Sequence, residues 1–101
     1  MSDTKVIRYR TKPERADENA ALIKAVFAEL AESAPDGVRY AAFRLDDGVS
    51  FVHVVRLDGP GNPLPSMEAF QAFQAELGDR VADGPFAADA TVVGSYGFWG
   101  D

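Results

Sequence analysis

The stretch "VRYAAFRLDDGVSFVHVVRL", residues 38–57, decides the architecture of this 101-residue chain. Two strand-like runs flank Asp46-Asp47-Gly48, and Asp-Gly between apolar runs is a strong signal for a tight hairpin. A two-residue turn pairs Asp46 with Val49, which sets Ala42 opposite His53 and Tyr40 opposite Val55. Alternation along the strands then sends Val38, Tyr40, Ala42, Phe51, His53 and Val55 to one face. The other face receives Ala41, Phe43, Leu45, Val52 and Val54. Both sets are largely apolar, whereas a hairpin with one wet side alternates apolar with polar. Each face therefore needs cover.

Working outward, "KVIRYRT" at residues 5–11 mixes β-branched and aromatic residues with alternating arginines, the pattern of a half-exposed strand. "TKPE" then predicts a helix start, with Thr11 as N-cap, proline in the first turn and Glu14 closing a capping box. Ile23, Phe27, Leu30 and Ala34 recur at helical spacing, Leu22 and Val26 widen the stripe, and "PDG" at 35–37 ends it. "DGPGNPLP" at 58–65 is loop; without the lysine and Ser/Thr of a phosphate-cradling turn it does not suggest a nucleotide site. Ser66 is the expected N-cap of a second helix with the stripe Met67, Phe70, Phe73, Leu77 and Val81. "DGPF" at 83–86 reads as its breaker, and "ATVVGSYGFWG" as a last strand from about Ala90 to Trp99.

Composition narrows the function. A chain of this length forms one domain, residues 1–101, and 47% hydrophobic residues suit a folded core. A net charge of −6 argues against nucleic acid as a partner, because phosphate binding needs a dense basic surface. There is no cysteine, so neither a disulfide nor a thiolate metal site is available. The opening "MSDTKVIRYR" holds no apolar stretch of signal-peptide length, and no run suffices for a membrane span, so a cytoplasmic protein without a membrane partner is expected.

The order strand, helix, strand, strand, helix, strand gives an α+β, ferredoxin-like βαββαβ fold. Its four-stranded antiparallel sheet has order 4-1-3-2, with both helices on one face. The uncovered face is apolar, and a two-fold homodimer packed sheet to sheet covers it. "RTKPERADENAALIK" after the first strand, "APDGVRYAAF" entering the second and "DDGVSFVHVV" through the third resemble the dimeric α+β barrel superfamily, and within it antibiotic biosynthesis monooxygenase-like domains. The likeness spans nearly the whole chain as an order of elements. It implies a homodimer that binds or modifies a small aromatic or polyketide-like molecule in a cavity between sheet and helices, by monooxygenase-like chemistry without a cofactor. Haem-degrading members are similar to one another in an asparagine on an early strand, a tryptophan on the third strand and a histidine on the second helix. None of these stands here, and "VHVVRL" replaces the glutamate-near-tryptophan pattern common on the third strand.

His53 is the only histidine, on a strand that this topology makes internal. It can serve as a proton-transfer group toward a ligand, with Tyr40 on the same face as its partner. Arg8 and Arg44 are the candidates to stabilise an anionic oxygen, and Phe51 to line the ligand site. One histidine with no cysteine and no acidic cluster on its face predicts no metal. The alternative is a non-catalytic dimeric binding or structural module in which His53 is a core residue.

Overall fold

The computed structural model describes residues 3–59 and 61–98. Strand β1 (Asp3–Thr11) leads through a short 3-10 turn (Pro13–Arg15) into helix α1 (Ala16–Ser33). The hairpin β2 (Val38–Arg44) and β3 (Ser50–Leu57) follows, then a 3-10 turn (Leu64–Ser66) and helices α2 (Glu68–Ala75) and α3 (Leu77–Arg80). Strand β4 (Val81–Ala90) completes a four-stranded antiparallel sheet of order β2-β3-β1-β4. This is the expected ferredoxin-like 4-1-3-2 arrangement, with β3 internal.

The hairpin register is the one read from the Asp-Gly signal: Ala42 faces His53 and Tyr40 faces Val55. The tip is wider than two residues. The closing bond runs from the Leu45 N–H to the Ser50 carbonyl, and Asp47 accepts from the Val49 and Ser50 N–H groups. Gly48 takes φ +80° at the turn, where a side chain would be strained.

One face of the sheet packs under the helices. Tyr9, Phe51 and Val55 are buried there with Ala16, Ile23 and Val26 of α1, Phe73 of α2, and Leu64 and Met67 from the turn before α2. The other face carries Val6, Arg8, Val52 and Val54, with Phe43, Leu45 and Phe86 exposed on it. Residues 91–98 leave β4 irregularly and enclose a cavity of about 470 Å³ with Thr4, Val6 and Val54 on this open face. Val93 and Tyr96 are almost wholly exposed.

Local expectations are corrected at both helix starts and at the last strand. Thr11 does not cap the helix; it ends β1, fully buried, and its hydroxyl donates to the Val49 carbonyl. Ser66 does not cap α2 either, because it belongs to the 3-10 turn and bonds the Pro63 carbonyl. The N–H of Ala69 in the first turn of α2 instead donates to the Glu29 carboxylate of α1 at 2.8 Å, so one helix supplies the anionic cap of the other.

The last strand also lies earlier than the 90–99 run, of which Trp99 falls outside the described residues. Val81 opens β4 instead of closing a helical stripe. The chain leaving α3 passes the free edge of β1, where the Lys12 N–H donates to the Arg80 carbonyl. Unpaired strand edges demand partners; a register shift between Arg8 and Arg10 absorbs the glycine and proline, and a second follows between Arg10 and Thr11. Arg8 pairs with Phe86 and Arg10 with Asp83, leaving Gly84 at φ +95°, where a β-carbon would lie 3.1 Å from the Arg8 carbonyl oxygen. "DGPF" is thus a bulge in an edge strand rather than a break between elements.

The cross-helix cap yields a measurable expectation. Glu29→Ala removes the acceptor from the Ala69 N–H and should lower stability by about 1 kcal/mol. Urea denaturation followed by circular dichroism tests this; a variant as stable as the parent would show that the cap is not used.

Candidate functional site

His53 points to the helix side of the sheet, 4% exposed, as its place in β3 between buried Phe51 and Val55 requires. Both ring nitrogens are bonded. Tyr40 of β2 lies with its hydroxyl 2.7 Å from Nδ1, and Tyr9 of β1 with its hydroxyl 2.9 Å from Nε2. The sheet therefore brings one side chain from each of three neighbouring strands into a row.

The row continues into the helices. Asn19 of α1 donates from Nδ2 to the Tyr9 hydroxyl at 2.9 Å, and Arg80 of α3 donates from Nε to Asn19 Oδ1 at 3.0 Å. Arg80 also donates from a terminal nitrogen to the Phe73 carbonyl at 2.6 Å, and its guanidinium lies over the Phe73 ring. Asn19 and Arg80 are both completely buried. No carboxylate pairs with this arginine among the described residues, and one terminal nitrogen is left without a hydrogen-bond partner. A buried cation held only by neutral acceptors makes its surroundings favourable to negative charge.

The rest of the lining is aromatic. Tyr9 stacks on Phe51 at 5.6 Å between ring centroids, Tyr40 tilts against Phe27 at 4.8 Å, and His53 against Phe73 at 5.6 Å. Burial in these surroundings pushes the His53 pKa down from 6.5 to about 4, so the imidazole is neutral at pH 7. It pushes the Tyr9 phenol up to about 12, with the Asn19 hydrogen bond and the Arg80 charge opposing the rise. Tyr40 is raised as well, by burial and then by Tyr9. Both phenols keep their protons at neutral pH.

Two of the cavities that Tyr40 lines bear on the site. One, of about 180 Å³, lies against His53, Tyr9, Phe70 and Phe73. The other, of about 520 Å³, opens between α1 and β2 over Ile23, Phe27, Ala42 and Phe51, with Lys24 and Arg44 among its lining residues. Among the described residues no group of three histidine or acidic side chains could hold a metal ion.

The residues singled out from sequence are thus only partly brought together. His53 and Tyr40 bond directly, and Phe51 forms the buried floor beside them. Arg44 reaches the rim, its guanidinium 5.7 Å from the Phe51 ring centroid and bonded to Asp17 of α1. Arg8 is not part of the site. It pairs with Val52 in the sheet, so its side chain leaves from the opposite face, where it lies over the Phe86 ring. Sequence reading missed Asn19, Arg80 and Tyr9. A polar residue inside the apolar series Ala16, Asn19, Ile23, Val26 was the available signal.

No protein-family model and no curated protein matches this sequence. Solved structures do match. Rv0793 from Mycobacterium tuberculosis is 16% identical, with a TM-score of 0.74 over 94% of this chain and 98% of that one. A candidate antibiotic biosynthesis monooxygenase from Chloroflexus aurantiacus is 15% identical, with a TM-score of 0.72 over 97% and 99%. Another so named, from Caulobacter crescentus, is 16% identical, with a TM-score of 0.72 over 92% and 91%. The likeness is one of fold. Structures bearing the monooxygenase name share the whole βαββαβ unit with this chain, which agrees with the resemblance carried by its strand and helix junctions. No helix among the described residues is long and apolar enough to cross a membrane.

Two measurements probe the buried row. Asn19→Ala leaves the Arg80 Nε and the Tyr9 hydroxyl without their partner and should cost about 2–4 kcal/mol in urea denaturation. A loss within about 0.5 kcal/mol would mean that the row is not bonded as described. For His53, the unfolded chain takes up a proton below pH 6.5 that the folded chain resists until about pH 4. Stability from this group is therefore complete above pH 6.5 and declines as pH falls through that window, by up to about 3 kcal/mol. Subtracting the same titration for His53→Gln isolates the effect; identical pH profiles for the two proteins would refute it.

Proposed function

We propose that this chain binds and modifies a small aromatic or polyketide-like molecule in the space between sheet and helices. His53 and Tyr40 are its proton-handling pair, with Phe51 and Arg44 at the ligand's side. The observation that carries the reading is the 2.7 Å contact between the Tyr40 hydroxyl and the neutral, buried His53 at the wall of a largely apolar cavity, which Lys5, Asn62 and Gln74 also line. A neutral imidazole bonded to a phenol can accept or relay a proton at neutral pH, and apolar walls strengthen the electrostatics of such a step. The monooxygenase names of structures with this fold support oxidation of the ligand, and the sequence resemblance adds that no cofactor is required. The second reading, a non-catalytic module with His53 as a core residue, is favoured by its 4% exposure and its two satisfied nitrogens.

The same reading includes a homodimer formed through the open face of the sheet. Phe43, Leu45, Phe86 and Tyr96 expose apolar surface on that side, and a second copy is the partner that always accompanies the chain. Such a pairing leaves the helix-side cavities of each copy accessible.

Native mass spectrometry of the purified protein is expected to show a dimer and a retained small molecule. His53→Gln should remain dimeric but lose that molecule, and oxygen uptake with a polycyclic phenol should fall with it. Binding and uptake equal to the parent would favour the structural histidine. A stable monomer in sedimentation at micromolar concentration would overturn the dimer, and Val54→Lys is expected to produce one.

A further inference from the structure

We infer that the buried row is a one-way hydrogen-bond chain whose last donor is the Tyr40 hydroxyl, so that the cavity is built for a ligand presenting a carbonyl or carboxylate oxygen. The direction begins at Arg80. A guanidinium only donates, so the Asn19 atom 3.0 Å from Arg80 Nε is the amide oxygen, whichever way the amide would otherwise turn. The amide nitrogen of Asn19 therefore donates to Tyr9. Tyr9 is buried, and its only other hydrogen-bond partner among the described residues is His53 Nε2.

If Nε2 carried the imidazole proton, the Tyr9 hydroxyl would accept twice and its own proton would be buried without an acceptor. That arrangement costs the desolvation of a polar group. With the proton on Nδ1 every buried group of the row except one Arg80 nitrogen is satisfied: Tyr9 donates to Nε2, and Nδ1 donates to the Tyr40 oxygen. The Tyr40 O–H is then left to donate, and it has no other protein partner among the described residues. Tyr40 is half-buried and lines both cavities.

Four hydrogen bonds pointing the same way polarise one another, and the chain starts from a buried cation. Both effects make Tyr40 a better donor, most of all toward an oxygen bearing negative charge. Lys24, lining the larger cavity beside Tyr40, favours the same ligand, whereas Arg44 there is paired with Asp17. Within α1 the residues three and four positions from Lys24 are Ala20, Ala21, Phe27 and Ala28, none of which can neutralise it. The ligand class rests on the small-molecule reading given above, whereas the direction of the chain can be measured on the protein alone.

Because His53 is the only histidine, long-range proton–nitrogen correlation spectra of nitrogen-15-labelled protein report one imidazole. At pH 7 the expected result is a protonated Nδ1 and an unprotonated Nε2. Asn19→Asp should reverse it, since the new carboxylate accepts both from Arg80 and from the Tyr9 hydroxyl. Tyr9 must then accept from Nε2, and Tyr40 must donate inward. An Nε2-protonated parent, or an unchanged tautomer in a folded Asn19→Asp protein, overturns the one-way chain; if that variant does not fold, the parent spectrum alone decides.

For the ligand, 2-naphthoate should bind the parent about tenfold more tightly than 2-naphthylmethylamine, and Tyr40→Phe should remove that preference. An Nδ1-protonated parent with no preference for the carboxylate overturns the assigned ligand class. Failure of both probes in the presence of the expected tautomer would count against the small-molecule reading itself and leave the direction of the chain standing.

Discussion

A small domain has little room to bury polarity, and everything distinctive in this one follows from how it lines up five polar side chains, four of them buried. Arg80, Asn19, Tyr9, His53 and Tyr40 come from α3, α1, β1, β3 and β2, and each depends on the next for its hydrogen bond. Apolar contacts tolerate small shifts between elements, but a row of bonds near 3 Å does not. The row thus fixes how the helix layer sits on the sheet, and it places the only imidazole against a cavity. A hydrophobic replacement could pack the same space; it could not hold a proton at a defined atom.

The sheet divides its two faces between different tasks. The helix side concentrates the aromatic rings and the polar row, with Tyr40 at its border with the cavities. The open side mixes Val6, Val52, Val54 and Phe43 with Arg8, Arg39 and Arg56, and residues 91–98 add Val93 and Tyr96 to it. The period-two alternation of β3 separates the two: Phe51, His53 and Val55 go one way, and Val52 and Val54 the other. A one-residue slip in the hairpin would exchange these sets, and the turn residues Asp47 and Gly48 guard against it.

How much of this was legible follows the same logic. The hairpin, its register and the partition of its faces could be read because a local turn signal and strict alternation act over neighbouring residues. The topology followed from the element order. Strand β4 was misplaced because its glycine and proline argue locally for a break, while "ATVVGSYGFWG" argues locally for a strand. What decides between them is the vacant edge of β1, a tertiary demand that no window of sequence contains. The Tyr40–His53 pairing was anticipated from register. Arg80 and Asn19, 61 residues apart, meet only through the packing of α3 on α1. Arg8 was misassigned to the site because an alternating arginine pattern shows that a strand has two faces without telling which one the helices cover.

The interrupted pairing of β4 has a consequence for how copies of this protein can associate. An edge strand with regular, unpaired backbone groups is a template onto which another chain can add, and repeated addition leads to fibres. Here two register shifts and a proline break the spacing of those groups along the outer rim of β4. A newcomer laid along that rim would find its bonds out of step within a few residues. Growth of the sheet by accretion along that rim is blocked.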